Sequence, residues 1–244
     1  MARGKFKPTA ALFVLLILSM YSIWWLHGET VSSPGETDEI TLSLWTFDVN
    51  VSSLSCIAGH WKTLGVHTFS HRSDLFIELS YSPRGMRNTG CDDFLIAGSF
   101  TIRLRPRNDS AAIRRVLFVV ENVSSVSVDN VFPPVTGFLY SKTPDGLFEI
   151  RPGRYGNVDP LQTMEASALK STWGVSVELH PFPQLDIRKR GDEESIEARL
   201  LFTVEIEYQV RTGFFKSEKR KLRIEIPVVY NLYGLNNCLN ACAP

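Results

Sequence analysis

Between Phe202 and Val210 every second residue is apolar: Phe202, Val204, Ile206, Tyr208 and Val210 alternate with Thr203, Glu205, Glu207 and Gln209. A period of two is that of a pleated strand, whose successive side chains point to opposite faces, whereas an amphipathic helix needs apolar residues three and four apart. Leu222, Ile224 and Ile226 repeat the pattern against Arg223 and Glu225, and Thr212-Gly213 with the basic stretch Lys216 to Lys221 lies between the two runs. The pattern predicts a β-hairpin with one face turned to a core. Ahead of it, Val175, Val177 and Leu179 alternate with Ser176 and Glu178 before Pro181 and Pro183. This predicts a strand that joins the hairpin in a three-stranded meander, with proline at its exit.

The rest of the chain past residue 40 reads the same way. Ile40 to Val49, Leu75 to Tyr81, Phe94 to Leu104, Ile113 to Glu121 and Val123 to Val131 are short, rich in β-branched and aromatic residues, and separated by Gly, Pro, Asn or Asp. Such spacing predicts an all-β fold, an antiparallel β-sandwich-like domain. Only Leu161 to Lys170 is a run of good helix formers, and a short helix is expected there. Prolines and glycines gather in residues 132–160, which read as a linker. Two arrangements fit: one large sandwich crossed by a long loop, or two small β units at 40–131 and 161–244.

At the other end, Thr9 to Leu26 gives eighteen positions without a charge. As a helix the run would reach roughly 27 Å, enough to cross a bilayer core. Arg3, Lys5 and Lys7 precede it and Glu29, Glu36, Asp38 and Glu39 follow, so the basic-residue rule keeps the N-terminus cytoplasmic. Tyr21, Trp24 and Trp25 would sit at the far headgroup level. The expectation is a single-pass type II membrane protein: a cytoplasmic tail at 1–8, a transmembrane signal-anchor helix at 9–26, a stalk at 27–39, and the β domain in the secretory lumen or outside the cell. A cleaved signal peptide shares the basic and apolar regions. The length of the run and the bulky Trp24-Trp25-Leu26-His27, where small residues precede cleavage, favour the anchor.

An apolar fraction of 44% with 21% charged residues is that of a folding chain, not a disordered one. Formal net charge is zero, and without the basic tail the remainder is mildly acidic, so a nucleic-acid partner is not expected. Five histidines and four cysteines lack zinc-site spacing, and neither metal nor cofactor is predicted.

In an oxidising compartment the even set Cys56, Cys91, Cys238 and Cys242 is expected to form disulfides, and Cys56 with Cys91 and Cys238 with Cys242 is the preferred of three connectivities. Asn50-Val51-Ser52, Asn108-Asp109-Ser110 and Asn122-Val123-Ser124 are N-glycosylation sequons, with Asn108, in a polar turn after Pro106, the best acceptor. Arg190-Gly191-Asp192 is placed at a hairpin tip, where it could serve as an adhesion turn, although Gly-Asp is also ordinary turn chemistry. His60, His67 and His71 fall near Ser70, Ser73 and Asp74, yet no nucleophile elbow or His-Glu-x-x-His motif accompanies them. Asp92-Asp93 without a nucleotide-binding pattern reads as a turn.

The alternation around Ile196 to Ile226, with Gly213 and Lys216-Ser217 in its turn, resembles the late-embryogenesis-abundant β-sandwich domain of membrane-anchored plant proteins. The resemblance implies a membrane-anchored β-sandwich; the Asn-Pro-Asn segment typical of that family is absent, and no family is assigned on it. The expected role is non-enzymatic: a membrane-anchored glycoprotein whose β domain recognises a protein or glycan partner or acts structurally at the bilayer. The alternative is a small secretory-pathway enzyme with a site near residues 60–74.

Overall fold

The computed structural model describes residues 37–57, 59–87, 93–124, 127–129, 147–153, 160–170, 172–189, 191, 193–213 and 216–235. They belong to one compact unit that begins at Glu36. In chain order the strands are β1 Thr37–Thr41, β2 Trp45–Asn50, β3 Lys62–Thr63, β4 His67–Arg72, β5 Leu75–Arg87, β6 Asp93–Pro106 and β7 Ala111–Asn122. They continue as β8 Ser127–Asp129, β9 Phe148–Gly153, β10 Pro160–Ala168, β11 Val177–Leu179, β12 Gln184–Arg188, β13 Ser195–Arg211 and β14 Ser217–Tyr233, and a 3-10 turn occupies Val51–Ser53.

Two seven-stranded sheets result. Sheet A runs β1-β14-β13-β7-β10-β9, with β2 also on β14; sheet B runs β3-β5-β6-β12-β8, with β4 on β5 and β11 on β6. Among the described residues β1 and β2 pair in parallel, both along β14, and the other pairings are antiparallel. The expected hairpin is β13 with β14: Phe202 faces Ile226, Val204 faces Ile224 and Ile206 faces Leu222. All six are buried. Their cross-strand contacts are what make the alternation stabilising, since a one-residue slip would turn every one of them to solvent.

Several expectations give way. Stretches 40–131 and 161–244 are interleaved rather than separate: β7 lies between β13 and β10 in sheet A, and β6 pairs with β11 and β12 in sheet B. The described residues therefore make one β-sandwich-like domain. Within 132–160, Phe148–Gly153 is strand β9, paired with β10. Leu161 to Lys170 is not helical; β10 takes most of it, with Met164 opposite Phe118 and Ala166 opposite Val116. Pairing to β7 on one side and β9 on the other outweighs a helix propensity of a few tenths of a kcal/mol per residue. Nor is the C-terminal part a meander, because β11 and β12 both pair with β6 in the opposite sheet. Ile40 to Val49 divides into β1 and β2, and among the described residues of Val123 to Val131 the strand is β8.

Aromatic rings join the sheets. Phe202 of sheet A has its centroid 5.1 Å from Tyr81 and 5.8 Å from Phe100 of sheet B, and 5.7 Å from its own sheet's Phe118. Near them the hydroxyls of Tyr81 in β5 and Tyr230 in β14 share a hydrogen bond of 2.7 Å. Both tyrosines are fully buried, and loss of solvation pushes both phenols well above their ordinary pKa. In such a place each hydroxyl needs the other, since neither can reach water.

Candidate functional site

Alternation should leave the outer face of β14 polar, but it fails at Pro227 and Val229. These two form the floor of a groove of about 460 Å³ on the outer face of sheet A. It crosses four neighbouring strands: Leu44 beside β2 forms one wall, Arg199 of β13 lies across the floor, and Val123 just past β7 forms the other wall. Leu44 is 52% exposed and Val123 57% exposed, whereas Val229 is buried. Asn231 Nδ2 donates to Asp48 Oδ1 at 2.9 Å, and Arg199 pairs with Glu197. Asn231, Glu197 and Arg199 line the groove, leaving an apolar slot with a polar margin, the general form of a surface that takes a partner's apolar side chain. The sequence signal that could have found it is the run Pro227-Val228-Val229-Tyr230, where an alternating strand turns apolar on both faces.

The sequons lie at strand ends. Asn50 ends β2 and its Oδ1 accepts from Ser52 N at 3.1 Å and Ser52 Oγ at 2.7 Å. Asn122 ends β7 in the same turn, accepting from Ser124 N at 3.0 Å and Ser124 Oγ at 2.7 Å. Asn108 is exposed in the turn from β6 to β7. Gly234 closes against the first of these turns with φ +79, which favours glycine, and a Cβ there would crowd Asn50 Oδ1 at 3.0 Å.

Cys56 is disulfide-bonded. Cys91, Cys238 and Cys242 lie outside the described residues, as do Arg190, Asp192 and Asp92. Gly191 is exposed, with φ +80, between β12 and β13. Those strands belong to opposite sheets, so Gly191 lies in an inter-sheet connection and not at the tip of a hairpin. Asp93 is the first residue of β6 and not part of a turn.

The structure does not gather the histidines and serines of residues 60–74 into one site. His67 packs inward, stacked on Trp45 at 5.5 Å and edge-on to Phe47 at 5.0 Å, with Nε2 3.1 Å from Thr46 O. His71 shares that face of β4 with Phe69, whereas Ser70 is on the opposite, exposed face. Asp74 is paired with Arg220 of the other sheet. Among the described residues no three His, Cys, Asp or Glu side chains are grouped to hold a metal ion. No helix among them is long and apolar enough to cross a membrane, and residues 9–26 lie outside them.

The chain matches no protein-family model and none of the curated proteins. Among solved structures it is similar to a pore forming protein at 7% identity and TM-score 0.35, over 70% of this chain and 89% of that one. A second likeness is to Clostridium perfringens delta-toxin, at 8% identity and TM-score 0.28, over 73% and 91% of the two chains. A third is to a cohesin module of the Clostridium perfringens ATCC13124 family 33 glycoside hydrolase, at 9% identity and TM-score 0.23, over 55% and 86%. At these TM-scores none of the three carries an argument about fold or role.

Proposed function

We propose that this chain is a single-pass type II membrane glycoprotein whose extracytoplasmic β-sandwich acts as a non-enzymatic recognition or structural module. Residues 9–26 serve as the signal-anchor helix in the bilayer, and the domain faces the secretory lumen or the cell exterior. The observation that carries the reading is where the sequons fall: Asn50 and Asn122 end their strands and Asn108 stands in an exposed turn, so a glycan at any of them displaces no core side chain. A disulfide at Cys56 fits the same oxidising compartment. Cys91 is its proposed partner, because Arg87 N donates to Ser55 O at 3.1 Å. That bond brings the neighbour of Cys56 to the end of β5, and Cys91 is four residues beyond Arg87. Cys238 with Cys242 is the second proposed pair.

Recognition, in this reading, uses the groove between Leu44 and Val123 for a protein or glycan partner, with no nucleic acid involved. Expression of the full chain in glycosylation-competent cells tests the proposal. An endoglycosidase-sensitive mass shift, reduced in steps by Asn108→Gln, Asn50→Gln and Asn122→Gln, is expected. A chain that carries no glycan in such cells overturns it.

A further inference from the structure

Across β4, β5 and β6 the outer face of sheet B carries one rung of unusual composition. Arg72 is opposite Phe76, and Phe76 is opposite Arg105. Both guanidinium carbons lie over the Phe76 ring, at 5.0 and 5.5 Å from its centroid. The next rung places Glu78 opposite Arg103 and Arg103 opposite Glu178. Arg107 follows β6, its N–H bonded to Asp74 O at 2.9 Å.

The charges on this patch do not cancel. Arg103 reaches Glu178 at 3.1 Å and Glu78 at 3.9 Å, and Arg105 reaches Glu78 at 3.5 Å, so both acids of the patch are engaged. Asp74 is taken by Arg220, and Asp109 is exposed in the next turn. Neither Arg72 nor Arg107 has an acidic partner among the described residues, and both are exposed. Strand spacing puts Arg72 and Arg105 roughly 10 Å apart with the ring between them.

We infer that this face, centred on Arg72, Phe76 and Arg105 and extended by Arg103 and Arg107, is a docking surface for an acidic polysaccharide, a sugar chain bearing carboxylate or sulfate groups. A guanidinium forms paired hydrogen bonds with either oxyanion, and orientation against an aromatic ring limits the freedom lost on binding. The Phe76 ring, with a guanidinium over it from each flanking strand, holds the two cations in fixed relation to each other. Two cations on either side of one ring suit a ligand whose charges recur along a chain better than a single small anion. The inference rests on the proposed extracytoplasmic placement, where the abundant polyanions are glycans.

The test is chromatography of the full chain in detergent on immobilised heparin, polygalacturonate and neutral dextran, with elution by salt. Retention on heparin, polygalacturonate or both, with none on dextran, is expected, and the pair of columns tells sulfate from carboxylate. The variant Arg72→Gln/Arg105→Gln/Arg107→Gln should bind at least about tenfold more weakly, as the loss of several charge-assisted contacts requires. A control that removes as many charges elsewhere, Lys62→Gln/Lys170→Gln/Lys219→Gln, should bind as the parent does. If the first variant fails to fold, Arg107→Gln alone, which touches no ring, should still elute at lower salt. No retention of the parent chain, or equal loss in both variants, overturns the inference. Tighter binding to phosphatidylserine vesicles than to either polysaccharide, together with a domain found on the cytosolic side, overturns the choice of ligand; glycosylated chain that is not retained overturns the surface and leaves the topology standing.

Discussion

The outer faces of the two sheets hold similar residues in different arrangements. On sheet A the charges meet their opposites across strands: Arg115 lies 2.8 Å from Glu165 and 3.0 Å from Glu207, and Lys221 is 2.9 Å from Glu205, while Arg223 pairs along its own strand with Glu225 at 2.8 Å. On sheet B, Arg72 and Arg105 meet across an aromatic ring instead, and among the described residues the acid beside Arg105 is Glu78, at 3.5 Å. A chain of zero net charge can therefore keep one face neutralised and leave another basic, because strand register and not composition decides which charges face each other. Neutrality of the whole is no guide to what a face will bind.

What the faces share is the core behind them, and its loss should be the largest effect. Phe202→Ala removes the ring that touches Tyr81, Phe100 and Phe118 and should cost about 3–5 kcal/mol, seen as a lowered denaturant midpoint with an unchanged slope. A cost under about 1 kcal/mol would mean that the rings do not join the sheets. Next, Tyr230→Phe strands the Tyr81 hydroxyl and should cost about 1–3 kcal/mol, while Tyr81→Phe/Tyr230→Phe should cost less than the single change, since no unpaired group remains.

The same pair makes a pH prediction. Burial raises both phenols above the ordinary value of 10.0, so the folded state holds these protons more tightly than the unfolded chain does. The stability they contribute is complete below about pH 10 and is lost as pH climbs beyond it toward the raised values. Thermal melts between about pH 10 and 12 should fall steeply for the parent chain and more gently for the double phenylalanine variant.

Smaller effects separate the faces. Arg115→Gln should cost about 0.5–1 kcal/mol at low salt, because its guanidinium is one-quarter exposed and solvent screens its pairs, and the cost should shrink as salt is added. Arg105→Gln should change stability by no more than about 0.5 kcal/mol at any salt, since its best acidic contact is long and its side chain is 56% exposed. A salt-dependent cost at Arg105 equal to that at Arg115 would erase the distinction between the two faces.

Local patterns were legible in the sequence and long-range pairings were not. The β13 and β14 hairpin could be read because its two strands are neighbours and its apolar period is strict. Leu161 to Lys170 reads as a helix because it contains good helix formers, whereas the ladders from β7 and β9 that hold it as β10 lie outside any local window. Likewise the strand at Val175 to Leu179 reads as a neighbour of the nearest hairpin, whereas β11 pairs with β6, more than seventy residues earlier. The candidate sites divide in the same way. Sequons and cysteines are short motifs visible in one line of sequence, but the Arg72, Phe76 and Arg105 rung depends on the register of three strands, and the groove depends on four.

The topology underlies every functional statement above, and protease protection on sealed microsomes tests it most directly. With the full chain inserted, residues 36–244 should resist added protease until detergent opens the membrane, leaving a fragment shortened only by the N-terminal tail. Digestion of that domain in intact vesicles would place it on the cytosolic side and contradict the account.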